Sequence, residues 1–159
     1  MTRERFIELA TAEQEPLRRF LLALCGGDRM EAEDIAQEAF IKAWLASDRF
    51  DERYKFRTWI FKIAYRTLLD HVKRPRIERI PDHTELSVHS DYSADLAFRY
   101  EALYRAIDQL PERARAATLL YHIEGYSIKD IATITNSNPV AVRQQLHRGL
   151  TRLRQILKP

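Results

Sequence analysis

Apolar residues recur along most of this chain at intervals of three and four, the spacing of one face of a helix. No stretch alternates residue by residue as a half-buried strand would. Leu17, Phe20, Leu21 and Leu24 form one stripe, and Ala32, Ile35, Ala36, Ala39, Phe40 and Ala43 form the next. Gly26 and Gly27 are placed to end the first helix, and Asp28 followed by Glu31 to cap the second. A third long helix is expected from about Phe56. Between Pro75 and Phe98 the stripe vanishes and prolines, serines, histidines and acids replace it, the composition of a tether without its own core. Beyond it Leu103, Ile107 and Leu110 start a new stripe, Pro111 can open a helix, and Gly125 punctuates the chain before Ser127. The pattern predicts an all-α protein of two small helical domains, 1–75 and 99–159, joined by a flexible acidic linker, 76–98; the second is a bundle of about four helices.

Within the second body, YSIKDIATITNSNPVAVRQQLHRGLTRLRQIL reads as two helices joined by a polar turn at Thr135 to Ser137, the layout of a helix-turn-helix. Ser127 caps the first helix, with Ile128, Ile131 and Ala132 inward, and Asn138 caps the second with Pro139 at its first position. Val142, Leu146, Leu150, Leu153 and Leu157 are expected to be buried, leaving Val140, Arg143, Gln144, His147 and Arg148 outward. Arginine pairs bidentately with guanine and glutamine with adenine, so this row suits a major groove. It also fits the solvated face of an ordinary bundle helix.

The first body carries two further mixed faces. Asp34, Gln37, Glu38, Ile41 and Leu45 lie together on one helix, combining acids with exposed apolar groups as a protein-docking surface does. In KFRTWIFKIAYRTLLDHVKR, Phe61, Lys62, Tyr65, Arg66 and Lys73 share a face opposite Ile60, Ile63 and Ala64. Aromatic groups beside positive charge are what unstacked single-stranded bases need, although by itself the stripe suits a buried core equally well.

Composition narrows the classes. With 45% hydrophobic and 31% charged residues, the 159-residue chain has the make-up of a soluble globular protein. The opening MTRERFIELATAEQE is broken by charge every few positions, unlike a signal peptide, and no later run approaches a membrane span, so a cytoplasmic location is expected. The one cysteine, Cys25 beside Leu22 and Leu24, is expected to be a packed thiol. The net charge of +3 is unevenly placed: no lysine or arginine occurs from Ile80 to Phe98, and basic clusters flank that stretch. No HExxH spacing and no glycine-rich phosphate loop is present, so neither an enzyme nor a metal or cofactor site is expected.

In their order along the chain, EDIAQEAFIKAW, FRTWIFKIA, LPERARAATLLYHIEGYSIKDIA and AVRQQLHRGLTRLR closely resemble the extracytoplasmic-function (ECF) sigma factors, group 4 of the sigma-70 superfamily. The resemblance implies a subunit that directs core RNA polymerase to promoters. Domain 1–75 would be region two and domain 99–159 region four. Asp34, Gln37, Glu38 and Ile41 match the positions that dock on the polymerase clamp coiled coil, and Trp59, Phe61, Lys62, Tyr65, Arg66 and Lys73 the minus-10 reading and melting segment. Ser47 to Lys55 would form a flipped-base pocket. Val140, Arg143, Gln144, His147 and Arg148 would read the minus-35 element, and Leu119 and Leu120 would help receive the polymerase flap tip or simply serve as core. Arg66, Ala141 and Gln145 depart from the asparagine, threonine and arginine common at those places, which bears on promoter sequence. No sensing domain is expected beyond the recognition helix, and control by an anti-sigma factor in trans is expected instead. The alternative is a stand-alone helix-turn-helix regulator whose first body dimerises or binds an effector.

Overall fold

The computed structural model describes residues 1–73 and 94–158. Seven α-helices occur among them: α1 (Arg3–Leu24), α2 (Arg29–Leu45), α3 (Phe56–Lys73), α4 (Ala94–Asp108), α5 (Glu112–Thr118), α6 (Ile128–Ile134) and α7 (Pro139–Ile156). A 3-10 turn, Ser47–Arg49, follows α2, and a π-helical turn, Leu119–Ile123, continues α5. The described residues contain no strand.

The helix ends follow from local chemistry. Thr2 caps α1 by accepting from the Arg5 amide at 3.1 Å, and Gly26 and Gly27, at φ 61° and 90°, turn the chain out of it. Asp28 then accepts from the Glu31 amide at 3.1 Å to open α2. Helix α3 begins at Phe56 as the pattern indicates, and Pro111 precedes α5. Most of the stretch assigned to the linker lies outside the described residues, but its last part, from Ala94, is already helical in α4.

Helices α1, α2 and α3 pack around Leu17, Phe20, Leu21, Ile35, Ala36, Ala39 and Ile60, all essentially inaccessible. Arg18 of α1 pins α2 through a two-point ion pair to Glu33, with both contacts at 3.1 Å. Helices α4 to α7 enclose Ile107, Leu110, Leu119, Leu120, Ile131 and Ile134. Phe40 and Cys25 are only half-buried. The two bodies touch directly: Phe61 of α3 lies between Phe20 of α1 (5.3 Å between ring centroids) and Tyr126 just before α6 (5.1 Å), so the apolar interiors join into one cluster.

Candidate nucleic-acid and partner interfaces

The α6–turn–α7 unit is built by short-range bonds. Ser127 Oγ accepts from the Asp130 amide at 3.1 Å, Asn136 takes a left-handed φ of 53° to make the turn, and Asn138 Oδ1 accepts from the Ala141 amide at 2.9 Å. Pro139, at the first position of α7, has no amide hydrogen to leave unsatisfied there. Caps of this kind contribute about 1 kcal/mol each. Val140, Arg143, Gln144, His147 and Arg148 are all exposed, and their spacing places them on one side of α7. The hidden side differs from expectation. Val142, Gly149 and Leu153 are buried and Leu146 and Ile156 half-buried, whereas Leu150 (38% exposed) and Leu157 (46%) lie outside the stripe. Leu157 lies past the end of α7, and for Leu150 the reason is Gly149. An added Cβ there would stand 2.5 Å from Thr118 Oγ1, so α7 makes its close approach to α5 through the residue with no side chain, and Leu150 is rotated away.

On α3 the expected nucleic-acid face is divided. Arg66 and Lys73 are exposed, Lys62 is half-buried, and Trp59 is half-buried against Phe50 (4.8 Å between centroids) and Phe56 (5.6 Å). Phe61 and Tyr65 are not exposed as expected: they are 0% and 4% accessible. The cause is that α3 is covered on two sides, by α1 and α2 on one and by the second body on the other. Burial pushes the Tyr65 phenol up to about 12, with Glu112 of α5 adding to the rise and Arg113 opposing it.

The α2 face is largely as expected. Asp34 and Gln37 are exposed, Ile41 is 60% and Leu45 76% exposed. Glu38 is half-buried and held by His71 of α3 and by Lys42 at 3.1 Å. The hydrogen bond from His71 is the main reason its carboxyl lies below the ordinary carboxylate range, and Lys42 adds to it. Trp44 (41% exposed) and Ile7 (51%) extend this apolar surface and, with Arg3 and Phe6, line an open depression; the sequence reading missed both. Their signal was faint, a tryptophan three residues beyond Ile41 on the same helix. Leu119 and Leu120 are fully core, whereas Tyr121 and His122 on the same π-helical turn are exposed.

Six polar residues that link the bodies were also missed. Arg19 of α1 forms a two-point ion pair with Glu124, both contacts at 2.9 Å. Arg57 Nε donates to the Tyr126 hydroxyl at 3.2 Å, Arg57 Nη2 to the Glu124 carbonyl at 3.1 Å, and its guanidinium lies 4.3 Å from the Tyr126 ring centroid. Lys55 Nζ meets Asp130 at 3.1 Å. No local pattern announces a pair such as Arg19 and Glu124, which stand 105 positions apart.

The family models "Sigma-70 region 2" and "Sigma-70, region 4" match residues 9–76 and 100–153. The chain is similar to RNA polymerase sigma-H factor of Pseudomonas aeruginosa, at 34% identity over 83% of this chain and 76% of that one. It is also similar to the ECF RNA polymerase sigma factor SigW of Bacillus subtilis, at 33% identity over 83% and 78%. The chain belongs to the ECF sigma factors. Like them it directs RNA polymerase to promoters in transcription initiation. The fold of this sigma factor is shared with the sigma factor RpoE of Bartonella quintana, solved with the anti-sigma factor NepR (TM-score 0.74, 21% identity, 97% of this chain and 95% of that one). It is shared equally with CnrH, solved with the cytosolic domain of CnrY (TM-score 0.74, 22% identity, 98% and 89%). No helix among the sigma factor's described residues is long and apolar enough to cross a membrane.

Proposed function

We propose that this sigma factor divides promoter recognition between its two bodies, 1–75 and 99–159, with α7 reading the duplex minus-35 element and α3 capturing unstacked minus-10 bases. The observation that carries this reading is the exposed row Val140, Arg143, Gln144, His147 and Arg148 at the start of a rigidly capped helix, just after a tight turn. Arg143 and Gln144 supply base-edge contacts, and Arg148 a phosphate contact. On α3, Trp59, Lys62, Arg66 and Lys73 are the accessible candidates in the closed arrangement of the bodies, and Phe61 and Tyr65 join them only when the second body is displaced. Asp34, Gln37, Ile41 and Leu45 dock on polymerase, with Glu38 shaping that surface through His71 and Lys42. The protein works as a binding subunit in the cytoplasm, without a reaction of its own. RpoE was solved with the anti-sigma factor NepR and CnrH with the cytosolic domain of CnrY, and an anti-sigma factor is the regulator proposed for this chain.

The test is transcription by reconstituted holoenzyme from single-base promoter variants. Arg143→Ala is expected to lose about 1–3 kcal/mol of minus-35 discrimination at one base pair. Arg148→Ala is expected to weaken all sequences alike and flatten the salt dependence. Wild-type base preference at every minus-35 position in Arg143→Ala would remove α7 from the groove.

A further inference from the structure

The contact between the two bodies is unusually polar for a surface that joins two apolar cores. At its centre stands Glu124, whose side chain is 2% exposed and whose carboxylate both Arg19 nitrogens grip at 2.9 Å. The widened turn places it there: the Glu124 amide donates to the Leu119 carbonyl at 3.0 Å, the five-residue step of a π-helix, a local distortion often found at functional positions. Gly125, at φ 78°, then reverses the chain so that Tyr126 falls under Arg57. The contact is knit further by the Tyr126 hydroxyl, which donates to the Arg57 carbonyl at 3.2 Å, and by Lys55 with Asp130 at the rim. Glu13 of α1 lies in the same field. Burial raises its pKa, Arg57 lowers it and Glu124 raises it again.

Two consequences follow from this geometry. First, acceptors of the second body occupy cations of the first: the Glu124 carboxylate takes Arg19, its backbone carbonyl takes Arg57, and the Asp130 carboxylate takes Lys55, the last residue of the loop before α3. These are groups that would otherwise be open to nucleic-acid phosphates. Second, Tyr126 packs on Phe61, and the charges of α5 act on Tyr65, so the second body hides the aromatic part of the α3 face.

We infer that the Arg19–Glu124 pair, with Arg57 on Tyr126, is a latch that holds the free protein closed, and that closure blocks the α3 face from single-stranded DNA until the latch opens. The blocking half rests on the proposed reading of α3 as the minus-10 face; the latch itself does not. An ion pair with one partner buried and the other half-exposed is suited to this. Removing Arg19 leaves the buried Glu124 carboxylate without its counter-ion, and separating the bodies rehydrates both groups.

The experiment uses the full chain as Arg19→Glu, Glu124→Arg and the double swap, each checked by circular dichroism. X-ray scattering reports closure, because a single compact body of this length has a radius of gyration near ~15 Å. Binding of a fluorescein-labelled, random-sequence short single strand of DNA reports access to α3. Wild type is expected near the compact value. Each single variant is expected to expand and to bind the strand more tightly, up to about tenfold where the open form is about a tenth of the wild-type population. The double swap is expected to return both readouts towards wild type. The Arg19→Glu result is the more telling, because that variant is less basic and simple charge attraction predicts weaker binding. Helical variants that stay as compact as wild type, or a swap that stays expanded, would overturn the latch. Expansion without tighter strand binding would leave the latch standing and overturn the occlusion of α3.

Discussion

Substituting Gly149 by alanine sets two known effects against each other in the helix that carries the minus-35 row. Alanine within a helix is favoured over glycine by about 1 kcal/mol, so on propensity alone Gly149→Ala stabilises α7. Packing opposes it. The new methyl would sit 2.5 Å from Thr118 Oγ1, with the Ala114 carbonyl at 3.6 Å and Leu110 Cδ1 at 3.7 Å closing off escape. Thr118 is 3% exposed and β-branched, so it has little rotamer freedom with which to move aside. Overpacking of this kind costs about 1–3 kcal/mol, which leaves a net loss of up to about 2 kcal/mol once propensity is subtracted. The sign is expected to reverse in a Thr118→Ala background, where the obstructing oxygen is gone and the propensity gain of about 1 kcal/mol is released. A double-mutant cycle measured by urea denaturation isolates the coupling, expected at about 1–3 kcal/mol, and cancels whatever Thr118→Ala does alone. Minus-35 duplex binding by the same four proteins shows whether pushing α7 off α5 also misaligns Arg143 and Gln144. If Gly149→Ala raises stability equally with and without Thr118, the close approach of α5 and α7 at this point is wrong.

Two further outcomes are expected. Asp34→Lys combined with Gln37→Ala is expected to reduce retention of core polymerase in a pull-down while leaving the circular dichroism spectrum unchanged, because both side chains are exposed; normal retention would take them out of the interface. The carboxyls of Glu33 and Glu38 have folded pKa values below the reference 4.5, the first through its bond to Arg18 and the second through His71. Their stabilising contribution is therefore complete above about pH 4.5 and is lost as pH falls through the lowered values. Thermal melts between neutral and acid pH are expected to show that loss diminished in Glu33→Gln and Glu38→Gln, and equal acid sensitivity of both variants and wild type would contradict it.

How far the sequence was legible depended on whether the deciding interaction was local. The caps at Asp28, Ser127 and Asn138, the Gly26–Gly27 stop and the outward row of α7 all rest on contacts within four residues, and each stands where the pattern placed it. The buried side of α7 was misjudged because apolar character was used to find the contact, and the contact is made by a glycine. Leu150 looked like core, but Gly149 is where the helices meet. Phe61 and Tyr65 were misplaced for a different reason. A helix packed on two sides shows apolar and aromatic residues around most of its circumference, and periodicity does not say which part meets solvent. The joint between the bodies left no local trace at all, since Arg19 and Glu124, or Arg57 and Tyr126, become neighbours only once both bodies have folded.

The most direct measurement of the central claim is run-off transcription with purified core polymerase on fragmented genomic DNA, with and without this chain. The account predicts that polymerase alone starts at few defined sites, that adding the chain produces discrete starts preceded by a shared pair of elements at constant spacing, and that Arg143→Ala alters the upstream element only. The same start sites with and without the chain, while the chain alone protects a palindromic duplex, would contradict it and favour the stand-alone helix-turn-helix regulator.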